Sequence, residues 1–252
     1  MQLPKWGTTN MKLQPENWTT PQQILVILAH PDDPEFFCGA TLARWARAGH
    51  HITYALLTCG DKGSSNPETL PGNLCRTRQE EQKAAAAIIG AKAVHFLDRE
   101  DGYLIPDLSL RREVTRLIRQ FRPDILVTCD PQNLFPPGSY RLNHPDHRAA
   151  GQVVLDAVFP AAGNPLFFPE LLRDEGLLPH TPREVWISLT AQPTVVLDVT
   201  DTWEIKLQAL KEHRSQIGDP AEFEKRMRAR HTDDSTDANP RYEEKFHRLV
   251  FG

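Results

Sequence analysis

Residues 23–29, QILVILA, are apolar almost without a break and rich in β-branched side chains. A strand with one face in water alternates apolar and polar residues, so this run marks a strand covered on both faces, as in a parallel sheet. Short apolar stretches recur at 51–58 (HITYALLT), 93–97 (AVHFL) and 124–129 (DILVTC). Helical patterns separate them: 39–48 stopped by Gly49, 76–89 with four consecutive alanines and Gly90 as its stop, and 110–121 before the break at Pro123. Repeated strand-then-helix units predict parallel strands, because parallel neighbours need a crossover that places helices on the sheet faces. The expected fold is α/β, a Rossmann-like three-layer αβα sandwich with a mostly parallel sheet.

Beyond residue 160 the pattern is less regular. Prolines interrupt 159–182, short strands are expected at 185–189 and 194–199, and helices at 203–214, 222–230 and 241–249, with HTDDSTDANP as an acidic linker at 231–240. No composition shift marks a second domain. The chain reads as one domain over 1–252, with a core at about 22–160 and an irregular C-terminal extension at about 183–252.

Charge narrows the function. Lys plus Arg number 29 and Asp plus Glu 33, a net charge of −4, so the basic footprint of a nucleic-acid or anionic-membrane binder is missing. The opening MQLPKWGTTNMKLQPENWTTP lacks an apolar core of the signal-peptide kind, and no apolar run approaches the roughly 20 residues that span a bilayer. Cys38, Cys59, Cys75 and Cys129 form no C-x-x-C pair, which reads as free thiols in a reducing compartment. A cytoplasmic protein is the expectation. Ten histidines are the unusual count, since imidazole both ligates metals and titrates near neutral pH.

In an open α/β sheet, ligands bind beyond the carboxyl ends of the strands. AHPDDPEF follows the first apolar run, where a dinucleotide-binding protein would place glycines; this argues against NAD or FAD and supplies an imidazole and two carboxylates on a proline-stiffened turn. After the fourth run, DPQNLFPPGSYRLN leads to HPDHRAAG at 144–151. With Pro145 at the first helical position, His144 falls at the N-cap and His147 on the same side of the helix mouth. In the usual strand order 3-2-1-4 the two clusters share one crevice. Two histidines and one carboxylate around an open position make a hydrolytic zinc arrangement. Either tetrapeptide alone would be a surface turn; both at the ligand-binding edge are harder to assign so.

The chain resembles the PIG-L/LmbE-like family of zinc-dependent N-acetylglucosaminyl de-N-acetylases. AHPDDPEFFCGATLA, RQEEQKAAAAIIGA, DREDGYL, RPDILVTCDP and HPDHRAAG carry the resemblance, with weaker echoes in KLQALKEHRSQ and YEEKF. The resemblance implies that His30, Asp33 and His147 bind one Zn2+ per chain, or another divalent metal such as Fe2+. It makes Asp32 the general base toward the metal-activated water and His144 the electrophilic or acidic partner, and places Arg78 and Asp101 near the sugar hydroxyls. Which aspartate ligates comes from the family; spacing does not decide it. The chemistry agrees, since amide hydrolysis needs an activated water, charge stabilisation at the carbonyl oxygen and a proton for the departing nitrogen.

The implied activity is removal of an N-acetyl group from an N-acetylglucosaminyl or related amino-sugar conjugate, with a small molecule as partner and a trimer or hexamer as the family's usual assembly. Hydrolysis of another amide, such as a thiol-sugar conjugate, or a non-catalytic metal- or sugar-binding role are the alternatives. Arg78 reads equally as a surface charge paired with Glu80 or Glu81, and Asp101 as a turn residue before Gly102. His213 reads as a buried helix histidine or one approaching the site. Cys59, Gly60, Asp61 and Gly63 are expected to wall the crevice. His50, His51, His95, His180, His231 and His247 have no partner at ligand spacing. Tyr140 and Arg141 are the polar residues offered by the loop before His144.

Overall fold

A computed structural model describes residues 12–13, 16–136 and 142–251. The run 23–29 forms β2 (Gln23–Leu28), in which Val26, Ile27 and Leu28 are wholly buried. Each such side chain contributes about 1.5–3 kcal/mol relative to exposure. In chain order the other elements are β1 (Lys12–Leu13), α1 (Asp33–Arg47), β3 (His51–Thr58), α2 (Pro71–Ile89), β4 (Ala93–Arg99), α3 (Leu108–Phe121), β5 (Ile125–Cys129) and α4 (Pro145–Asp156). A π-helical turn (Ala157–Ala162), α5 (Pro169–Arg173), β6 (Glu184–Ser188), β7 (Val195–Asp198), α6 (Trp203–Leu210), α7 (Arg214–Ile217), α8 (Pro220–Arg228) and β8 (Glu243–Val250) complete it.

One sheet runs in the order β1-β7-β8-β6-β5-β2-β3-β4, and all its neighbours are parallel except those of β8. The expected adjacency of the first and fourth predicted strands is present: β2 pairs with β5, Ile24 opposite Ile125. Helices α1, α2 and α6 pack together on one face, and α3, α4 and the π-helical turn on the other, which makes three layers.

Three expectations are corrected. Residues 241–249, expected as a helix, form the antiparallel strand β8 between β6 and β7, so the C-terminal part completes the main sheet. Its period is two: Tyr242, Glu244 and Phe246 are buried while Lys245 is exposed. Glu244 hides the pattern, because it looks like a surface residue yet is buried against Lys206 Nζ at 2.7 Å. The helix expected over 203–214 stops at Leu210, and the chain turns so that His213 points into the interior.

The third correction concerns cysteine. Cys59, after β3, and Cys75, in the first turns of α2, form a disulfide with Cα atoms 5.1 Å apart; Cys38 and Cys129 are free and buried. The loop between them folds back on itself, a proximity that no local spacing announces. Two of the four expected free thiols are therefore paired, and cysteine usage does not point to a reducing compartment. No described helix is long and apolar enough to cross a membrane.

Candidate metal centre and active site

The carboxyl edge of the sheet gathers four connections at one place. His30 follows β2, Gly63 lies in the loop after β3, Asp101 follows β4, and the segment after β5 delivers His144 and His147 at the mouth of α4. They border a cavity of about 390 Å³ that Phe36, Phe37 and Lys62 help to line. Cavities of about 550 and 530 Å³ lie elsewhere, beside α1 with the 198–202 turn and beside α8, and neither is lined by histidine.

The tight turn at 30–33 explains how adjacent aspartates separate. Asp32 is the N-cap of α1 in the left-handed region, φ 93°, and Asp33 is the first helical residue. Their side chains consequently leave the backbone in different directions. Asp33 turns to the histidines, with Oδ1 3.0 Å from His147 Nε2 and Oδ2 3.4 Å from His30 Nδ1. The His30 amide donates to Asp33 Oδ2 at 2.8 Å and braces it. Asp32 turns to Arg78, whose Nη2 lies 3.2 Å from Asp32 Oδ2.

Each histidine of the cluster is oriented from behind. Asn143 Nδ2 donates to the Asn133 carbonyl at 2.7 Å, so its Oδ1 is the acceptor that meets His147 Nδ1 at 2.8 Å. His30 Nε2 sits 3.1 Å from Asp101 Oδ1 and 3.2 Å from Asp146 Oδ2, both acceptors. Asp146 is fixed by the Gly102 and Leu104 amides, at 2.7 and 3.2 Å. With those outward nitrogens donating, His30 Nδ1 and His147 Nε2 present lone pairs to one another at 3.3 Å beside the Asp33 carboxylate. Three electron-rich atoms converging in a buried spot repel unless a cation lies among them, and imidazole braced by an outer carboxylate or amide is the usual metal-ligand arrangement. His30, Asp33 and His147 thus form a candidate metal-binding group with ligand atoms within 4.8 Å of one another.

The electrostatics show the same demand for positive charge, which a proton on His30 meets where no cation is bound. Burial alone would lower the His30 pKa, but the Asp33, Asp101 and Asp146 carboxylates raise it well above the ordinary histidine value. Burial would raise Asp33, yet His147 and His30 pull it far below the usual carboxylate range. Asp32 moves the other way: burial, with Asp33 alongside and only partly offset by Arg78, pushes its carboxyl up to about 6.

His144 is the N-cap of α4, as its position before Pro145 predicts, and its Nδ1 accepts the Asp146 amide at 3.2 Å. Its neutral form therefore carries the proton on Nε2. Burial and the neighbouring His30 and His147 rings lower its pKa, which favours that form. Arg78 is no surface charge. It is buried and donates to the carbonyls of Gly60 at 3.1 Å and Pro31 at 2.6 Å as well as to Asp32. Gly60, at φ +69°, and Gly63 make room, since a Cβ on Gly60 would stand 2.2 Å from Arg78 Nη1.

Asp101 lines the cavity; of the four residues expected to wall it after β3, Gly63 does so, while Cys59, Gly60 and Asp61 stay behind the lining. His213 stays out of the cavity; it is buried and meets Glu35. Tyr140 and Arg141 lie outside the described residues. Sequence reasoning missed Asp146 and Asn143 as the groups that orient His30 and His147. Asp146 sits inside HPDH and was readable as a second carboxylate at a helix mouth; Asn143 carries no comparable signal.

A mostly parallel αβα sheet with a His-Asp-His cluster and a second aspartate at its carboxyl edge defines an α/β protein with a candidate hydrolytic centre. Comparison with known proteins places it further. The model of PIG-L, the GlcNAc-PI de-N-acetylase family, matches residues 25–158, and the chain belongs to that family. Diacetylchitobiose deacetylase of Thermococcus kodakarensis is 35% identical over 196 residues, covering 78% of this chain and 70% of that protein. 1D-myo-inositol 2-acetamido-2-deoxy-alpha-D-glucopyranoside deacetylase of Thermobifida fusca is 28% identical over 246 residues, covering 78% and 84%. The solved N,N'-diacetylchitobiose deacetylase from Pyrococcus horikoshii matches with a TM-score of 0.80 at 28% identity, over 91% of this chain and 84% of that one. The chain is thus an enzyme of the deacetylase class.

Proposed function

We propose that this deacetylase is Zn2+-dependent and acts on the acetamido group of an N-acetylglucosaminyl conjugate, with His30, Asp33 and His147 holding the cation. The observation that carries the reading is the convergence of two imidazole lone pairs and a carboxylate at the carboxyl edge of the sheet. Two nitrogens and one oxygen suit Zn2+, and Fe2+ is the other ion such a set accepts. A divalent cation there supplies Lewis acidity, lowering the pKa of water and polarising a carbonyl oxygen.

The remaining work falls to the chain's own side chains. Asp32, held by Arg78, takes a proton from the attacking water. His144, with its proton on Nε2, stabilises the developing oxyanion and helps the departing nitrogen accept a proton. Arg78 and Asp101 line the cavity and contact the sugar. Relatives named for a disaccharide and for an inositol conjugate of acetylated glucosamine support an amino-sugar substrate.

Purified protein is expected to contain about one zinc per chain and to release acetate from N,N'-diacetylchitobiose or a simpler N-acetylglucosamine derivative. Chelation or Asp32→Asn removes the activity, and zinc restores the chelated enzyme. Acetate release that survives either treatment sinks the mechanism.

A further inference from the structure

Three buried residues outside the cavity converge on Asp32. Gln82 in α2, Glu35 in α1 and His213 before α7 are each completely inaccessible to solvent, and none lines the catalytic cavity. His213 Nε2 lies 3.1 Å from Glu35 Oε2, and Gln82 Nε2 donates to the same oxygen at 3.0 Å. Gln82 Oε1 in turn accepts the backbone amide of Asp32 at 2.7 Å. We propose that His213, Glu35 and Gln82 form a positioning relay that fixes the Asp32 backbone and, through it, the direction of its carboxylate; this rests on the reading of Asp32 as the base.

The polarity of the relay is determined. Glu35 accepts at one oxygen from both neighbours, so the amide of Gln82 must turn its NH2 toward Glu35 and its oxygen toward Asp32. A flipped amide would face the Asp32 N–H with a second donor at 2.7 Å.

Such a lock has a purpose at this position. A non-glycine residue at φ 93° carries backbone strain and persists only where its surroundings enforce it. An aspartate at an N-cap ordinarily relaxes to an extended backbone and caps its own helix. Asp32 makes no side-chain cap bond to α1. With its amide held by Gln82, its carboxylate is left free to meet Arg78. Gln82 follows Arg78 by four residues, so one face of α2 holds the Asp32 amide and carboxylate together.

The test reverses the relay's polarity. Gln82→Glu sets two carboxylates against each other, and Glu35→Gln lets the Gln82 amide flip. The double variant Glu35→Gln/Gln82→Glu restores an acceptor for the Asp32 amide and a donor between residues 35 and 82. Each single variant, and the shape-preserving Gln82→Met, is expected to lower kcat about 10–100-fold. KM and zinc per chain stay unchanged, and amide hydrogen exchange quickens in the peptide holding Asp32. The double variant recovers kcat and the slow exchange.

Wild-type kcat in Gln82→Met overturns the relay, as does a double variant no better than its parents or a kcat loss that only tracks lost zinc. If the wild-type zinc enzyme releases no acetate, the activity reading fails, while exchange at Asp32 in the same variants still decides the relay.

Discussion

Arg78 Nη2 donates to the Asp32 carboxylate at 3.2 Å and to the Pro31 carbonyl at 2.6 Å, so one guanidinium secures both the proposed base and the peptide before it. Lysine cannot reproduce this, because it offers a single point charge in place of a planar fork. Arg78→Lys is expected to lower kcat for acetate release about tenfold or more, and Arg78→Met further, with zinc content unchanged. An Arg78→Met enzyme of wild-type kcat would show that the contact is idle.

Gly60 tests the same guanidinium from the other side. A methyl group there meets Arg78 Nη1 at 2.2 Å on a backbone at φ +69°, so Gly60→Ala is strained twice over. We expect a loss of about 1–3 kcal/mol in stability and a fall in kcat. Gly72→Ala, inside α2 with nothing within 4 Å of its new methyl, serves as the comparison and should be neutral or slightly stabilising. Equal melting temperatures for the two variants would contradict the packing account.

The disulfide closes a separation of 16 residues around the loop that walls the cavity. Thiol titration of unfolded, unreduced protein should therefore find two free cysteines, Cys38 and Cys129. Cys59→Ala/Cys75→Ala should cost about 3 kcal/mol in chemical denaturation, as a loop of this length predicts. Four reactive thiols in the unfolded protein would refute the pairing.

Glu184 predicts an acid transition. Burial would raise its pKa, but hydrogen bonds from Arg248, Trp18 and Trp186, each at 2.9 Å, outweigh burial and hold it below the ordinary value. A carboxyl depressed on folding stabilises the protein above its unfolded pKa, and that stability is lost as pH falls through the folded one. Melting temperature followed from pH 7 downward should fall below about pH 4.3, the ordinary glutamate value, and the fall should be shallower in Glu184→Gln. At neutral pH the same variant should lose about 1.5–3 kcal/mol, the worth of hydrogen bonds to a charged group. An unchanged acid slope would place the sensitivity elsewhere.

The strands of the N-terminal core were legible because a strand buried on two faces is apolar almost throughout, as 24–29 and 125–127 are. The C-terminal strand was not. Glu244 interrupts its pattern, and its burial makes sense only once Lys206, 38 residues away, supplies the opposite charge. The disulfide was equally hidden, since its two cysteines stand at no diagnostic spacing. His213 could be assigned neither to the site nor to the core, because its partner Glu35 lies 178 residues earlier.

By itself the sequence determined the layered parallel architecture and the two short clusters that the edge of such a sheet brings together. Those are matters of period and of residues a few positions apart, and local sterics enforce them. Tertiary structure alone decided which aspartate faces the histidines, since one left-handed residue at Asp32 sends adjacent carboxylates to opposite neighbours. It also decided which lone pairs point inward, for Asn143, Asp101 and Asp146 orient the rings from behind. Direction in space is fixed by partners from distant segments, and a linear pattern holds no record of them.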